Sequence, residues 1–258
     1  MSVQPRTSTV VRVDESEKPS AENSDRNTSG KITMPERISI IIPVFRETGM
    51  IHRTLGDLGR PAETEIIVAD GDPRGETLGV IQRSDIIRVV SRKGRGIQMN
   101  AGARHATGKI LLFLHADTRL PPEGLNRVRT ALADSAVVGG AFDLGIDSKR
   151  PVFRILEWPA SCRSRLTRVP YGDQAIFIRK HFFQEIGGFR EIPIMEDVDL
   201  MRRVKRTGQP IVFLDARVCT SARRWENEGI IRGTVRNWFL VLLFLAGAAP
   251  DRLARYYR

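Results

Sequence analysis

Cysteine is scarce. Cys162 and Cys219 are the only two in 258 residues, and neither stands in a CxxC or CxxH pattern. That argues against a disulfide framework or a zinc site and suits a reducing cytoplasm. Aromatic residues make up only 7% of the chain, too few to suggest the stacking platforms that hold single-stranded nucleic acid. Long apolar runs are missing too. The uncharged stretch Trp238 to Ala249 covers twelve residues, well short of the roughly 20 that cross a bilayer. Met1 to Ser39 has no apolar core of the kind a secretory leader carries. Acidic residues are outnumbered: 41 basic against 30 acidic side chains leave a net charge of +11. A field of that sign favours phosphate-bearing partners, although a solvated basic surface would have the same composition. No internal repeat and no second domain boundary is visible.

What is present divides the chain by character. Residues 1–36 are rich in Ser, Thr, Glu, Asp, Asn and Arg. Such a stretch cannot bury enough apolar surface to offset its ordering entropy, and it reads as a disordered tail. From Arg37 onward short apolar runs alternate with helical spacings. Ile38–Val44, Glu65–Ala69, Ile86–Val90 and Ile110–Leu114 read as strands covered on both faces. Between them, Ile51, Leu55 and Leu58 fall at helical spacing, and Gly96 to His105 follows a basic, glycine-rich loop. Pro121-Pro122 opens a helix carrying Leu125, Val128 and Leu132. This alternation predicts an α/β domain with a doubly wound, mostly parallel sheet. The second half is less regular. Val138–Phe142, Gln174–Ile178 and Ile211–Leu214 read as strands, and Met195 to Arg206 as a helix stopped by Gly208.

In a doubly wound sheet the ligand crevice lies beyond the carboxyl ends of the strands. Asp70, Asp72, His115 and Asp117 stand at such ends. A diphosphate leaving group brings charge that Mg²⁺ or Mn²⁺ can neutralise with only one or two protein carboxylates. Asp117, after a buried strand, meets that requirement. His115 points to the same side of an extended chain, where it would join the metal or hydrogen-bond a ribose. Glu196 and Asp197 open a helix, where they would cap it, or serve as the base that an attacking hydroxyl needs. Asp199, further along that helix, is expected to face solvent. Arg95, Asn100 and Gly102 belong to a helix start suited to phosphate.

The stretches Ile41-Ile42-Pro43-Val44-Phe45-Arg46-Glu47, Val68-Ala69-Asp70-Gly71-Asp72, His115-Ala116-Asp117 and Glu196-Asp197 resemble the family 2 glycosyltransferases of the GT-A fold. The resemblance covers roughly residues 38–226. More narrowly, Gln98–Ala103, Pro170-Tyr171-Gly172-Asp173-Gln174 and Arg223-Arg224-Trp225-Glu226 resemble a small bacterial subgroup. The resemblance implies an inverting enzyme with a UDP- or GDP-sugar donor. It also implies nucleotide contacts near Pro43, Glu47 and Asp70, a divalent metal at Asp117 and the base at Asp197, with Glu196 beside it. Tyr171, Asp173, Gln174, Arg224 and Trp225 are then expected on the acceptor side. Two positions depart from the pattern: His115 replaces the usual leading Asp of the metal motif, and Ala69 the first of two acids. Ser221 stands where processive members have Gln, which with the absence of spanning segments argues against polymer synthesis.

The domain is expected over residues 37–226, followed by an apolar, basic helical segment over 227–258. That segment, flanked by Arg232, Arg236, Arg252, Arg255 and Arg258, suits a peripheral place at the inner membrane face, a core helix or a dimer contact. With short relatives of this kind, a lipid-like acceptor such as a carotenoid acid or another terpenoid is one option. Nucleic acid is not an expected partner. Two other readings fit less well. A nucleotidyltransferase would carry a glycine-rich basic loop after the first strand, where Pro43-Val44-Phe45-Arg46-Glu47 stands instead. A non-catalytic nucleotide-sugar binder would have no need of both Asp117 and Asp197.

Overall fold

Every residue of Ile38–Val44 (β1) is buried, as a strand packed on both faces requires. In the computed structural model, which describes residues 36–257, even-numbered β1 side chains join one core and Ile41 joins another. The first core holds Ile38, Ile40, Ile42 and Val44 against α1 (Thr48–Leu58) through Ile51 and Leu55. β2 (Thr64–Asp70), α2 (Glu76–Gly79), β3 (Ile86–Val90), α3 (Arg95–His105) and β4 (Ile110–Phe113) continue the alternation. The second core packs Ile41, Ile67 and Leu111 against Met99, Ala101 and Ala103 of α3. Alternate strand positions thus serve two helical layers, which is the physical content of a doubly wound sheet.

The remaining elements are β5 (Thr118–Arg119), α4 (Gly124–Ala131), β6 (Gly139–Asp147), α5 (Pro151–Thr167), β7 (Phe177–Arg179), α6 (Lys180–Glu185), α7 (Glu196–Arg206) and β8 (Ile211–Ser221). Three helices, α8 (Arg223–Glu228), α9 (Ile230–Leu245) and α10 (Pro250–Ala254), complete the described chain. The sheet runs in the order β3-β2-β1-β4-β7-β6-β8-β5. It is parallel from β3 to β4 and again between β6 and β8, while β7 between β4 and β6 runs antiparallel to both. A register shift after Phe142 pairs Asp143 with Arg217 instead of the next residue in line. Such a bulge bends and twists its strand. It lets the far end of β8 meet β5 through Thr118 and Thr220, whose hydroxyls are 3.1 Å apart.

Two details of β1 and α3 place the rim. The Ile41 carbonyl accepts from Leu114 N–H, and the β4 pairing ends at Ile41. Pro43 therefore stands past that pairing, where its missing N–H leaves no ladder bond unmade. Gln98, buried in α3, donates to the carbonyls of Val44 (2.5 Å) and Ala69 (3.0 Å), tying the helix to the ends of β1 and β2.

The 17-residue helix α5 went unpredicted. It has Pro151 in its first turn and Pro159 inside it, and a proline within a helix removes one backbone bond. Phe153 is buried against Leu144 and Ile146 of β6, and that packing holds the helix. At the C-terminus Leu240 and Leu253 are buried with Ile194, so α9 and α10 lie against the start of α7. No helix among the described residues is long and apolar enough to cross a membrane. The polar tail expected over residues 1–36 lies, but for Glu36, outside the described residues.

Candidate active site

The strand rim is where backbone geometry delivers carboxylates. β4 ends at Phe113, and residues 114–117 carry the chain across to β5, with His115 and Asp117 on the way. The carbonyl of Asp117 accepts from Ser221 N–H at 3.0 Å, so the last residue of β8 fixes this crossing. From the other side α7 begins at Glu196, after Met195 in a left-handed conformation (φ 66°). The two segments meet around a cavity of about 170 Å³. Asp117, Asp173, Glu196 and Asp197 line it together with Arg95, His115, Tyr171 and Trp225.

Asp197 is held in place by backbone. Its Oδ2 accepts from Gly172 N–H at 2.6 Å and its Oδ1 from Val198 N–H at 2.7 Å. A Cβ on Gly172 would lie 2.9 Å from His115 Nε2 and 3.3 Å from Asp197 Oδ2. Glycine is needed here for close approach. The turn carrying Gly172 is itself pinned by Gln174, whose side chain accepts from Tyr171 N–H (3.1 Å) and Ser164 Oγ (2.5 Å) and donates to the Phe142 carbonyl (3.0 Å). Arg163 stacks over the Tyr171 ring, 3.4 Å from its centroid.

Electrostatics follow from crowding acids at a partly covered rim. Burial, with the neighbouring Asp197 charge second, pushes the Asp173 carboxyl up to about 6. Burial also raises Asp117, against the pull of its own backbone N–H and of Arg223 and Arg95. Glu196 is buried and pairs with Arg95 at 3.2 Å. That carboxylate, above all, holds the Arg95 guanidinium charged far beyond its ordinary range. The rim is therefore short of positive charge at its carboxylates while keeping one firmly charged guanidinium among them. No group of three or more His, Cys, Asp or Glu side chains arranged for a metal is found among the described residues. A lone hard-oxygen donor of the Asp117 type fits a cation that completes its shell with phosphate oxygens and water, as Mg²⁺ and Mn²⁺ do.

A model of the family described as "Glycosyl transferase family 2" matches residues 39–192. The chain belongs to this family. A curated relative, validoxylamine A glucosyltransferase of Streptomyces hygroscopicus subsp. limoneus, is 29% identical over 129 residues, which cover 44% of this chain and 28% of that protein. Two solved structures share the fold. The mannosyltransferase PcManGT from Pyrobaculum calidifontis, in complex with GDP-Man and Mn²⁺, aligns over 87% of this chain and 69% of its own, with a TM-score of 0.57 and 19% identity. S. aureus TarS 1-349 aligns over 86% and 70%, with a TM-score of 0.57 and 18% identity. The architecture is that of the GT-A glycosyltransferases, a mixed, curled sheet between helices.

For this family 2 member, eight of the residues singled out from sequence line the cavity: Arg95, His115, Asp117, Tyr171, Asp173, Glu196, Asp197 and Trp225. Asp70, Asp72 and Glu47 do not line it and are tied into a network of their own. Asp70 is fully buried, and its oxygens accept from Asp72 N–H (2.9 Å) and Thr77 N–H (3.1 Å). Thr77 in turn accepts from Glu47 N–H (3.1 Å), and the Glu47 carboxylate pairs with Arg223 at 3.3 Å. Asp72 accepts from Arg74 N–H and pairs with Arg46 at 3.3 Å. The Arg74 N–H, above all, holds the Asp72 carboxyl below the usual range.

Three of the expected contact residues are taken up by structural contacts instead. Asn100 bonds both backbone groups of Phe189 (2.8 and 2.9 Å). Gly102 lies against Ile41, where a Cβ would come within 2.5 Å of its Cγ2. Gln174 is buried under the turn it supports. The Arg224 side chain lies outside the described residues. Asp199 corrects an expectation: its side chain is 12% exposed, bound by Arg203 (2.8 Å) and Arg190 (3.4 Å). Arg203 also donates to the carbonyls of Ile186 and Gly188, and Asp199 neutralises that buried tie.

The sequence reading missed Ile194, Asn237, Val241 and Tyr257, which also line the cavity. They arrive from the C-terminal helices and the segment before α7, and no motif marks them. Gly172 stands within one of the motifs, but its contact with Asp197 is a tertiary fact.

Proposed function

We propose that the protein transfers a sugar from a nucleoside diphosphate sugar, with UDP or GDP as the nucleotide, to an acceptor hydroxyl or carboxyl, inverting the anomeric carbon. The observation that carries this reading is the convergence of Asp117 and a backbone-anchored Asp197 on one cavity. Asp197 takes the proton of the attacking acceptor oxygen. Its two N–H partners fix its direction, and an inverting displacement needs only this one base, because the acceptor itself is the nucleophile. Arg95, locked to Glu196, faces the diphosphate, and Arg223 supports it from α8. Asp117 would hold Mg²⁺ or Mn²⁺, which when bound neutralises charge on the departing diphosphate. Glu47, Asp70 and Asp72 shape the nucleotide side through the Thr77 network. The presence of GDP-Man and Mn²⁺ in the PcManGT complex agrees with this choice of donor and metal.

Donor hydrolysis tests the reading without knowledge of the acceptor. Slow release of UDP or GDP from a panel of nucleotide sugars with Mn²⁺ is expected from the natural chain, and its loss in Asp117→Asn. A folded Asp117→Asn variant with the same Mn²⁺ dependence as the natural chain would refute the metal assignment.

The acceptor reading extends to lipid-like molecules because of α9. Ile231, Val235, Trp238, Phe239, Leu242 and Leu245 are all exposed, between 47% and 78%. Trp238 and Phe239 are adjacent and the other steps are three or four residues, which puts all six on one broad face of the helix. With exposed Arg232 on the same helix and exposed Arg252 on α10, this face suits peripheral attachment to an anionic membrane surface.

A further inference from the structure

Helix α5 carries no residue of the motifs that resemble the family, yet two of its side chains hold the turn that aims Asp197. One Asp197 oxygen accepts from Val198 N–H, its neighbour in α7, and the other from Gly172 N–H at 2.6 Å. Only the Gly172 donor comes from another segment among the described residues. The direction of the carboxylate therefore depends on where the turn around Gly172 stands.

That turn cannot hold itself. It is a single helical turn, Gly172–Gln174, and Ala175 after it takes a left-handed conformation (φ 46°) that residues other than glycine rarely adopt. Its anchor is the buried Gln174. Gln174 Nε2 donates to the Phe142 carbonyl (3.0 Å) and Oε1 accepts from Tyr171 N–H (3.1 Å), so the amide can face only one way. Ser164 Oγ of α5 stands 2.5 Å from that same oxygen. Two bare acceptors would repel at this distance. The one hydroxyl proton of Ser164 therefore goes to Gln174 and not to the Ala160 carbonyl 2.9 Å away. Ser164 is fully buried, which keeps water from competing for this bond. Arg163 completes the hold. Its Nη2 donates to Ser164 Oγ (3.0 Å) and its Nη1 to the Val169 carbonyl (3.1 Å), while its guanidinium covers the Tyr171 ring.

We propose that Ser164 and Arg163 are positioning residues for the base: through Gln174 and Tyr171 they keep the Gly172 N–H on Asp197. Neither lines the cavity, so both act through the turn alone. The inference rests on the glycosyl-transfer reading, in which Asp197 is the base, and extends the catalytic apparatus to a helix outside the cavity. A misplacement of about 1 Å can cost on the order of 10²-fold in rate, and partial release of the turn about tenfold.

Donor hydrolysis with Mn²⁺ is the assay, because water then replaces the acceptor and still needs the base. Ser164→Ala, shown folded by its melting curve, is expected to lower the rate at saturating donor about tenfold and to leave the donor KM within about twofold. In the Asp197→Asn background, followed over hours, adding Ser164→Ala is expected to change the rate less than about twofold, since the base it serves is gone. An equal loss in that background, or a donor KM that rises as the rate falls, shows a general loosening of the site and overturns the proposal. If Ser164→Ala does not fold, Arg163→Gln is judged by the same measurements. A natural rate in the folded variant defeats this inference and leaves the transfer reading standing. A natural chain that hydrolyses no donor defeats the transfer reading, and the inference falls with it.

Discussion

Asp173 offers the most quantitative test of the site's electrostatics. Its carboxyl titrates at about 6 instead of 3.8, pushed up by burial first and the Asp197 charge second. At about 1.4 kcal/mol per pH unit, that interval is worth about 3 kcal/mol. Asp173 keeps some contact with solvent, so screening brings the working figure to about 1–2 kcal/mol. The sign follows from proton linkage. Between the two values the folded chain holds a proton that the unfolded chain has lost, so stability falls as pH rises through that window. Below about 3.8 the penalty is absent, and above about 6 it is complete. Asp173→Asn removes the charge and keeps the shape. For a domain of this size 1 kcal/mol moves Tm by about 2–4 °C, so the variant is expected to melt about 2–8 °C higher at pH 7.5. The difference should shrink toward zero by pH 4. Thermal melts in EDTA, at matched ionic strength across pH 4 to 8, provide the measurement. A Tm difference that does not change with pH, or a variant less stable at pH 7.5, would refute the claim that an under-compensated carboxylate sits at this rim.

Asp197→Asn is expected to lower transfer by on the order of 10²–10⁴-fold while changing donor affinity little, because the amide keeps much of the bonding to Gly172. Near-normal turnover at saturating acceptor, or a product that retains the donor's anomeric configuration, counts against the base assignment. The exposed face of α9 predicts flotation with anionic liposomes at low salt and release at high salt, since each arginine near the surface contributes about 1 kcal/mol. Absence of flotation at low salt would leave that face to another partner.

Some of this molecule is written locally. The run Ile38–Val44 has too many apolar side chains for a half-exposed strand, and the sheet buries all seven. Asp117 follows such a run, and a carboxylate costs less at the rim, beyond a buried strand, than inside it, where Asp143 of β6 needs Arg165 as its partner. The helix from Glu196 to Arg206 was legible because its apolar positions recur at helical spacing. These features depend on residues near one another in the chain.

Other features depend on what packing brings close. Asp117 and Asp197 share a cavity because β7 and β6 fold between them and the β8 bulge brings Ser221 under Asp117. Asp199 turned from solvent because Arg203 needed a counter-charge, and Asn100 and Gly102 because Phe189 and Ile41 lay beside them. Helix α5 carries Pro159 against its own local preference and is kept by the burial of Phe153. The sequence by itself determined the alternation of strands and helices and which acids reach the rim, since periodicity and strand ends are local properties. Only the tertiary structure decided that Asn237 and Tyr257 face those acids, because contacts between distant segments depend on how whole faces pack, and no short stretch of residues contains that information.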